Sequence, residues 1–452
     1  RFQWKQPTVH CHCSRLNIML IPIIEWNEHF DAEVAQKLGV LGELFISCPN
    51  ISEVPLERVP LKLIDCQFGP FSSVDQIDDA IIWLDKGATK AVFALDLNES
   101  SWQSTLGELE AIPRDRLTLA LNIEESTDFA RMAEAFIEIR GVAGTVVLKF
   151  PEAATTEEVL QKLEALQAKR GEEGKQDFLW LSVGGSKSWT AEDVGKLHQL
   201  RPQVDCQCKA SIPSSDNPNP PEGTLDAASA LISCARTDRT DGLYTTVVTD
   251  PRGVALGLVY SNAESIRASL ECGRGVYWSR SRGGLWRKGD TSGAWQGLLS
   301  IALDCDSDAL CYKVIQHGSP PAFCHLNRRN CWTEDKGFGK LERTLKSRLE
   351  NAPEGSYTKR LFNDPDLLRN KLLEEVQELV EAETPEHIAS EAADVMYFLM
   401  ARCAAGGVDL KDIEKDLDMK SRKLKRRPGN AKAHRIAAAE KVVGKANSNE
   451  QK

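Results

Sequence analysis

The feature that most restricts this chain is an alternation that runs from about residue 16 to residue 200. Short apolar runs (NIMLIPII, GELFISC, LKLIDC, KAVFALDL, LTLALNI, GTVVLKF and FLWLSV) are separated by longer amphipathic stretches. Two of these, VDQIDDAIIWLDKG and TDFARMAEAFIEIRG, repeat their apolar residues at helical spacing. Strands separated by helices return parallel to one another, because only a long crossover joins parallel neighbours. The pattern predicts an α/β unit over residues 16–208, built on a parallel sheet or a partial barrel. GGSKSW at 184–189 lacks the GK[ST] ending of a phosphate loop, and no active residue is assigned to this unit.

The pattern then changes twice. KASIPSSDNPNPPEGT, 209–224, is rich in Pro, Ser, Asn and Asp and reads as a linker. Residues 225–334 read as an α+β unit, with strands in LYTTVVTD, VALGLVYS and GVYWSRS and a helix in AESIRASLECG. After a short connection, residues 340–428 turn helical, and four helices with short loops predict an all-α bundle. Residues 1–15 and 429–452 read as polar tails, and a start without Met reads as a processed or fragmentary terminus, with whether it is native left open.

Composition excludes several classes. Lys plus Arg is 56 against 66 for Asp plus Glu, a net charge of −10, which disfavours a long polyanion and leaves small anionic substrates open. There is neither a run of about twenty apolar residues nor a signal-peptide layout, so no membrane span is expected. Thirteen scattered cysteines in such a chain suit a reducing, cytoplasmic setting and make clustered thiols candidate metal ligands.

The densest chemistry lies in LDCDSDALCYKVIQHGSPPAFCHLNRRNCW, residues 303–332. An EF-hand starting at Asp304 fails, since its sixth and twelfth positions are Ala309 and Ile315. Read as a strand, 303–315 places Asp304, Asp306 and Asp308 on one face, a set of oxygen ligands suited to Mg²⁺. Cys305 falls on the other face, and with Cys324 and Cys331 it offers three thiolates to Zn²⁺ with a fourth position open. Cys311 has the same parity as Cys305, so spacing leaves both in contention; His325 is a fourth ligand or an acid/base.

TDRTDGLYTTVVTD, LGLVYSNAESI, GRGVYWSRSRGGLWRKGDTSG, LDCDSDAL and FCHLNRRNCW resemble successive blocks of phosphoribosyl-AMP cyclohydrolase, over about 236–332. The resemblance implies zinc on Cys305, Cys324 and Cys331, magnesium on Asp304, Asp306 and Asp308, and a zinc site built across a homodimer. It departs from the family at Asp290, where Glu is usual, and in a slightly longer segment between Cys305 and Cys324. The implied reaction is hydroxide attack at C6 of an N1-substituted adenine, opening the N1–C6 bond, with His325 moving a proton. Ser279, Arg280, Ser281, Arg282 and Lys288 then offer donors to the two phosphates.

In the helical region, Glu375 and Glu378 lie three apart, as do Glu391 and Asp394. Each pair shares a helix face beside apolar residues, so two facing helices would hold Mg²⁺ between them. This ExxE…ExxD pattern resembles all-α nucleotide pyrophosphohydrolases, and residues 341–428 resemble phosphoribosyl-ATP pyrophosphohydrolase in particular. The resemblance implies Glu375, Glu378, Glu391 and Asp394 as metal ligands, and places Lys371 and the SYT segment, 356–358, towards substrate. Together the two halves resemble fungal multifunctional histidine-biosynthesis proteins. They imply two successive hydrolyses, with phosphoribosyl-ATP and phosphoribosyl-AMP as substrates and Zn²⁺ and Mg²⁺ as cofactors.

Rival readings are weaker. A zinc nucleobase deaminase needs H-x-E and P-C-x-x-C elements, which are missing. A catalytically silent scaffold has little reason to keep such ligand sets. His10, Cys11, His12 and Cys13 read as an adventitious tract in a tail, and Cys206 and Cys208 as a CxC at a linker edge.

Overall fold

The computed structural model describes residues 20–27, 30–48, 59, 61, 64–124, 127–170, 180–200, 204–215, 219–332 and 336–425. The His10–Cys13 tract and the 429–452 tail lie outside them. The chain forms two compact units, which part after Trp332.

The first unit opens with eight parallel strands. They are β1 (Leu20–Glu25), β2 (Leu44–Ser47), β3 (Cys66–Phe71), β4 (Lys90–Ala94), β5 (Leu117–Asn122), β6 (Thr145–Phe150), β7 (Trp180–Gly185) and β8 (Asp205–Ser211). Each pairs with the next, and β8 pairs back onto β1 through Leu20–Cys206 to Ile23–Lys209. The sheet is therefore a closed barrel rather than the partial barrel or open sheet expected. Alternation decides what fills it. Ile21, Phe45, Val92, Ala120 and Val147 form one interior cluster. Their neighbours Ile46, Phe68, Leu119, Val146, Leu181 and Cys206 belong to the outer core.

The helices that cover that outer face are α1 (Ala32–Gly39), α2 (Ile77–Lys86), α3 (Trp102–Leu109), α4 (Phe129–Val142), α5 (Thr156–Arg170) and α6 (Ala191–His198). Two strands sit where the sequence reading did not place them. LKLIDC contributes only its last residue to β3, whose body is CQFGPF, a stretch whose Gly and Pro mute the strand signal. Gly69 is required there: at φ +147 a Cβ would lie 2.4 Å from the Val92 carbonyl oxygen. β8 is DCQCKAS, so Cys206 and Cys208 are not at a linker edge but inside the last barrel strand, both buried. Burial pushes the Cys206 thiol well above its ordinary range.

The expected linker, 209–224, thus begins inside β8. The chain then adds β9 (Leu225–Asp226) beside β8 and α7 (Ala227–Cys234), which packs against α6 and β1. This helix occupies the place that follows the eighth strand of a β/α barrel, and it leads directly into the α+β region. That region holds β10 (Tyr244–Thr249), β11 (Ala255–Ser261), α8 (Ala263–Cys272), β12 (Val276–Ser279), β13 (Gly284–Arg287), β14 (Gln296–Leu303) and β15 (Ala309–Gln316). Its sheet order is β11-β10-β15-β14, with a separate β12-β13 hairpin. One apolar cluster joins Leu225 and Leu231 to Val248, Leu256, Ile301 and Tyr312, so the barrel wall and the α+β sheet share a core.

The second unit is α9 (Gly337–Asn351), α10 (Tyr357–Asn363), α11 (Pro365–Glu381), α12 (Pro385–Ala405) and α13 (Leu410–Ser421). The sequence reading expected four helices; among the described residues there are five, because SYTKRLFN adds a short one. Asp364 accepts from Leu367 N at 2.9 Å and Pro365 opens the next helix, which explains the break between α10 and α11. Leu345, Leu361, Leu368, Phe398 and Ala401 form the core of this bundle.

At the N-terminal end of the barrel, Glu43 accepts from Gln67 Nε2 at 2.7 Å and Lys90 Nζ at 2.8 Å, and also from the Thr89 hydroxyl. Glu43 and Lys90 are both buried. Replacing Glu43 with Ala removes the buried carboxylate that Gln67, Thr89 and Lys90 share, and we expect a loss of about 3–5 kcal/mol. It would be seen as a lower denaturant midpoint for the first unit, with the helical unit unchanged.

Candidate metal centres and substrate cleft

The acidic stretch is not the strand expected from parity. β14 ends at Leu303 and β15 starts at Ala309, so residues 304–308 form the turn of an antiparallel hairpin. Asp304 N donates to the Ala309 carbonyl at 3.0 Å, and Ala309 N donates to Asp304 Oδ1 at 3.1 Å. Ser307, between Asp306 and Asp308, takes φ 69. The turn still gathers the three carboxylates, whose oxygens lie within 4.8 Å of one another. The charges of Asp306 and Asp304 hold the Asp308 pKa above its ordinary value. Such repulsion is what a divalent cation relieves, and the all-oxygen donor set suits a hard one.

The cysteines divide. Cys331 has its pKa raised by burial and by the neighbouring Cys324, which also hydrogen-bonds it, so these two thiols form a pair. His325 stands beside them, with Nδ1 3.8 Å from Cys324 Sγ. Cys305 is exposed, and among the described residues no group of three close metal-ligating side chains includes a cysteine. Cys311 is partly buried in β15, with its sulfur 4.0 Å from the Thr249 hydroxyl.

The loop carrying the thiol pair is docked on β11 and the turn before it. Cys331 N donates to the Leu256 carbonyl at 2.9 Å, and Arg329 pairs with buried Asp250 at 3.0 Å. Phe323 lies against Gly257, where a Cβ would come within 1.9 Å of the ring. Lys288 was assigned to substrate phosphate; the structure instead buries it, with Nζ donating to the Ala294 and Ala322 carbonyls at 3.0 Å each. Burial lowers its pKa against a smaller upward pull from Cys324 and Cys331, and its charge in turn opposes the rise in the Cys331 pKa without cancelling it.

Ser279, Arg280 and Ser281 lie at the tip of the β12-β13 hairpin and line a cleft of about 530 Å³ with Tyr260, Trp278 and Trp286. The Arg280 guanidinium sits 4.0 Å from the Tyr260 ring centre, and Arg239 approaches the same ring at 4.5 Å. Arg282 is exposed at the turn, with Nε donating to Ser279 Oγ at 3.3 Å. The sequence reading missed the aromatic wall. Its residues come from β11, β12 and β13, and nothing in their spacing along the chain unites them.

In the helical unit, α11 and α12 bring Glu375, Glu378 and Glu391 within 4.8 Å. Asp394 is exposed one turn further along α12 and is not part of that group. Burial, then the charges of Glu375 and Glu391, raise the Glu378 pKa. Lys371 pairs with both Glu374 and Glu375 at 2.9 Å. Burial works against its charge, but these carboxylates outweigh it and its pKa is raised. A second cavity, about 460 Å³, is lined by Arg348, Ser356, Tyr357, Thr358 and Tyr397, so the SYT segment faces open space.

Comparison with known proteins divides the chain at the same point. The phosphoribosyl-AMP cyclohydrolase family model matches residues 257–333, and that of phosphoribosyl-ATP pyrophosphohydrolase matches 338–421. The histidine biosynthesis bifunctional protein HisIE of Thermus thermophilus is 38% identical over 200 residues, which cover 92% of that protein and 41% of this chain. This chain belongs to the same bifunctional histidine-biosynthesis family. A bifunctional histidine-biosynthesis protein of Schizosaccharomyces pombe is 50% identical over 221 residues, 49% of this chain and 52% of that protein. A trifunctional one of Neurospora crassa is 54% identical over 210 residues, 46% of this chain and 24% of that protein. The chain thus spans about half or less of these fungal relatives. In family terms, the thiol pair, the aspartate turn and the aromatic cleft all fall within or beside the cyclohydrolase match, and the glutamate cluster falls within the pyrophosphohydrolase match.

Two outcomes follow. Gly257→Ala must displace Phe323 and with it the Cys324 loop, at about 1–3 kcal/mol; thermal melts and a Zn²⁺ titration of the thiols will both register it. Glu378 keeps its proton to a higher pH than an isolated glutamate, so a cation binding there must displace that proton. Calorimetric Mg²⁺ titrations in two buffers of different ionisation heat should show proton release at mildly acidic pH. The release should shrink in Glu378→Gln and fade as pH rises above the Glu378 value.

Proposed function

We propose that this chain carries out two consecutive hydrolyses of histidine biosynthesis: phosphoribosyl-ATP to phosphoribosyl-AMP and pyrophosphate, then opening of the adenine ring of phosphoribosyl-AMP. The observation that carries the reading is the coexistence of two separate ligand sets, one in each matched region. Asp304, Asp306 and Asp308 with the Cys324–Cys331 pair lie in or beside one, and Glu375, Glu378 and Glu391 in the other.

For the first step, Glu375, Glu378 and Glu391 would hold Mg²⁺, with Asp394 joining from the next turn of α12. The ion supplies neutralisation of polyphosphate charge. Lys371 orients Glu375 through its 2.9 Å bond, and Arg348, Ser356 and Tyr357 line the adjoining cavity for the nucleotide.

For the second step, Cys324 and Cys331 would hold zinc with Cys305. Cys305 is exposed and in no close group of three with that pair, which supports the reading that the third thiolate is supplied by a second copy of the chain in a homodimer. Zinc supplies Lewis acidity that makes water a nucleophile near neutral pH. Asp304, Asp306 and Asp308 would hold Mg²⁺ near the substrate. Tyr260, Trp278 and Trp286 stack the adenine, while Arg280, Ser279 and Ser281 donate to phosphate. His325, 3.8 Å from Cys324, passes a proton to the N1 leaving group.

The test is a paired assay on phosphoribosyl-ATP with Mg²⁺, following pyrophosphate and ring-opened product separately. Cys324→Ala should reduce ring opening by at least a hundredfold and leave pyrophosphate release intact; Glu375→Gln should do the converse when phosphoribosyl-AMP is supplied directly. Folded, metal-loaded protein that performs neither reaction would favour the scaffold reading.

A further inference from the structure

We propose that His198, on helix α6 of the barrel, is a positioning residue for the aspartate turn of the cyclohydrolase region, acting through Ser307. The inference rests on the proposed use of that turn as a cation site, but its geometry stands by itself.

Ser307 lies between Asp306 and Asp308. Both aspartates are exposed, whereas Ser307 is only 2% exposed. A serine at φ 69 occupies the left-handed region that L-residues other than Gly, Asn and Asp rarely enter. Something must hold it there, and two bonds do. Its carbonyl accepts from Arg236 N at 2.7 Å, and its hydroxyl lies 2.7 Å from His198 Nε2. His198 is itself 2% exposed, at the last turn of α6. Its Nδ1 has no hydrogen-bond partner among the described residues, so the bond to Ser307 is the polar contact its ring makes there.

A buried histidine that merely filled space would be replaceable by an apolar ring. This one spans two parts of the fold. α6 belongs to the barrel, and Ser307 lies in the turn between β14 and β15. The three carboxylates around Ser307 repel one another, and a turn so loaded tends to open. Pinning Ser307 inward keeps Asp306 and Asp308 together at the surface. Burial, then the charge of Arg236, lowers the His198 pKa to about 4, so the ring is neutral near neutral pH and adds no charge to the turn. The barrel, which contributes no side chain to the cleft or ligand sets described above, thereby gains a part in the reaction: it stiffens a cation site it does not itself line.

The experiment uses the full chain carrying Glu375→Gln, Glu378→Gln and Glu391→Gln together, so that Mn²⁺ binding read by electron paramagnetic resonance reports the aspartate turn. His198→Ala should weaken Mn²⁺ binding at least tenfold, with zinc content and the circular dichroism spectrum unchanged. His198→Gln, which keeps a hydrogen-bonding group, should restore much of it. In chains with these glutamates intact, the Mg²⁺ concentration needed for half-maximal ring opening should rise in His198→Ala, while pyrophosphate release stays as it was. Should His198→Ala fail to fold, Ser307→Ala cuts the same bond from the other side, and Mn²⁺ binding must fall there too. Unaltered Mn²⁺ affinity in folded His198→Ala or Ser307→Ala overturns the inference. Absence of ring opening in the unsubstituted chain overturns the functional reading instead, and the Mn²⁺ result then judges His198 alone.

Discussion

Like charge held at close range is the constraint around which the functional parts of this molecule are arranged. Three aspartates in one turn and three glutamates on two helices each lie within 4.8 Å of one another. Like charge raises the Asp308 pKa, and burial followed by like charge raises that of Glu378. No isolated turn or helix pair would keep such a cluster without help. In the first unit, help comes from bonds that fix the turn from behind, through Ser307 and Ala309. In the second, it comes from Lys371, whose charge sits against Glu375 and Glu374. The fold supplies the rigidity that holds these like charges together.

The same logic runs through the thiol pair. Cys324 and Cys331 sit on a loop with no regular structure, yet that loop is tied at several points. Arg329 reaches buried Asp250, Cys331 bonds to Leu256, and Phe323 fills the space left by Gly257. Lys288 links the loop to the β12-β13 hairpin region from within the core. Lys288, which its sequence context offers as a phosphate donor, is buried here and braces the loop from within.

Barrel and cyclohydrolase region are less separable than their sequences suggest. α7 occupies the position after the eighth strand, and its buried residues join a cluster that continues into the neighbouring sheet. A shared core joins the barrel, to which the sequence assigns no active residue, to the sheet that carries the aspartate turn.

Periodicity alone carried the β/α alternation, because apolar runs separated by amphipathic helices leave little choice but parallel pairing. It also carried the strands around LYTTVVTD and VALGLVYS, the long helices of the second unit, and the residue types of both ligand clusters. Other features depended on partners distant in the chain. Closure of the barrel needed β8, whose DCQCKAS pattern looks like a linker edge until β1 pairs with it. The aspartates converge through a hairpin turn, not through strand parity, because β14 and β15 pair around them. Asp394 stands outside the glutamate group, although its i,i+3 spacing from Glu391 matches that of the first pair, since spacing says which face a residue shares and not how far that face reaches. Sequence determined which elements and which chemical groups this chain owns. Tertiary structure decided which groups meet, because meeting depends on packing between segments that sequence separates by tens to hundreds of residues.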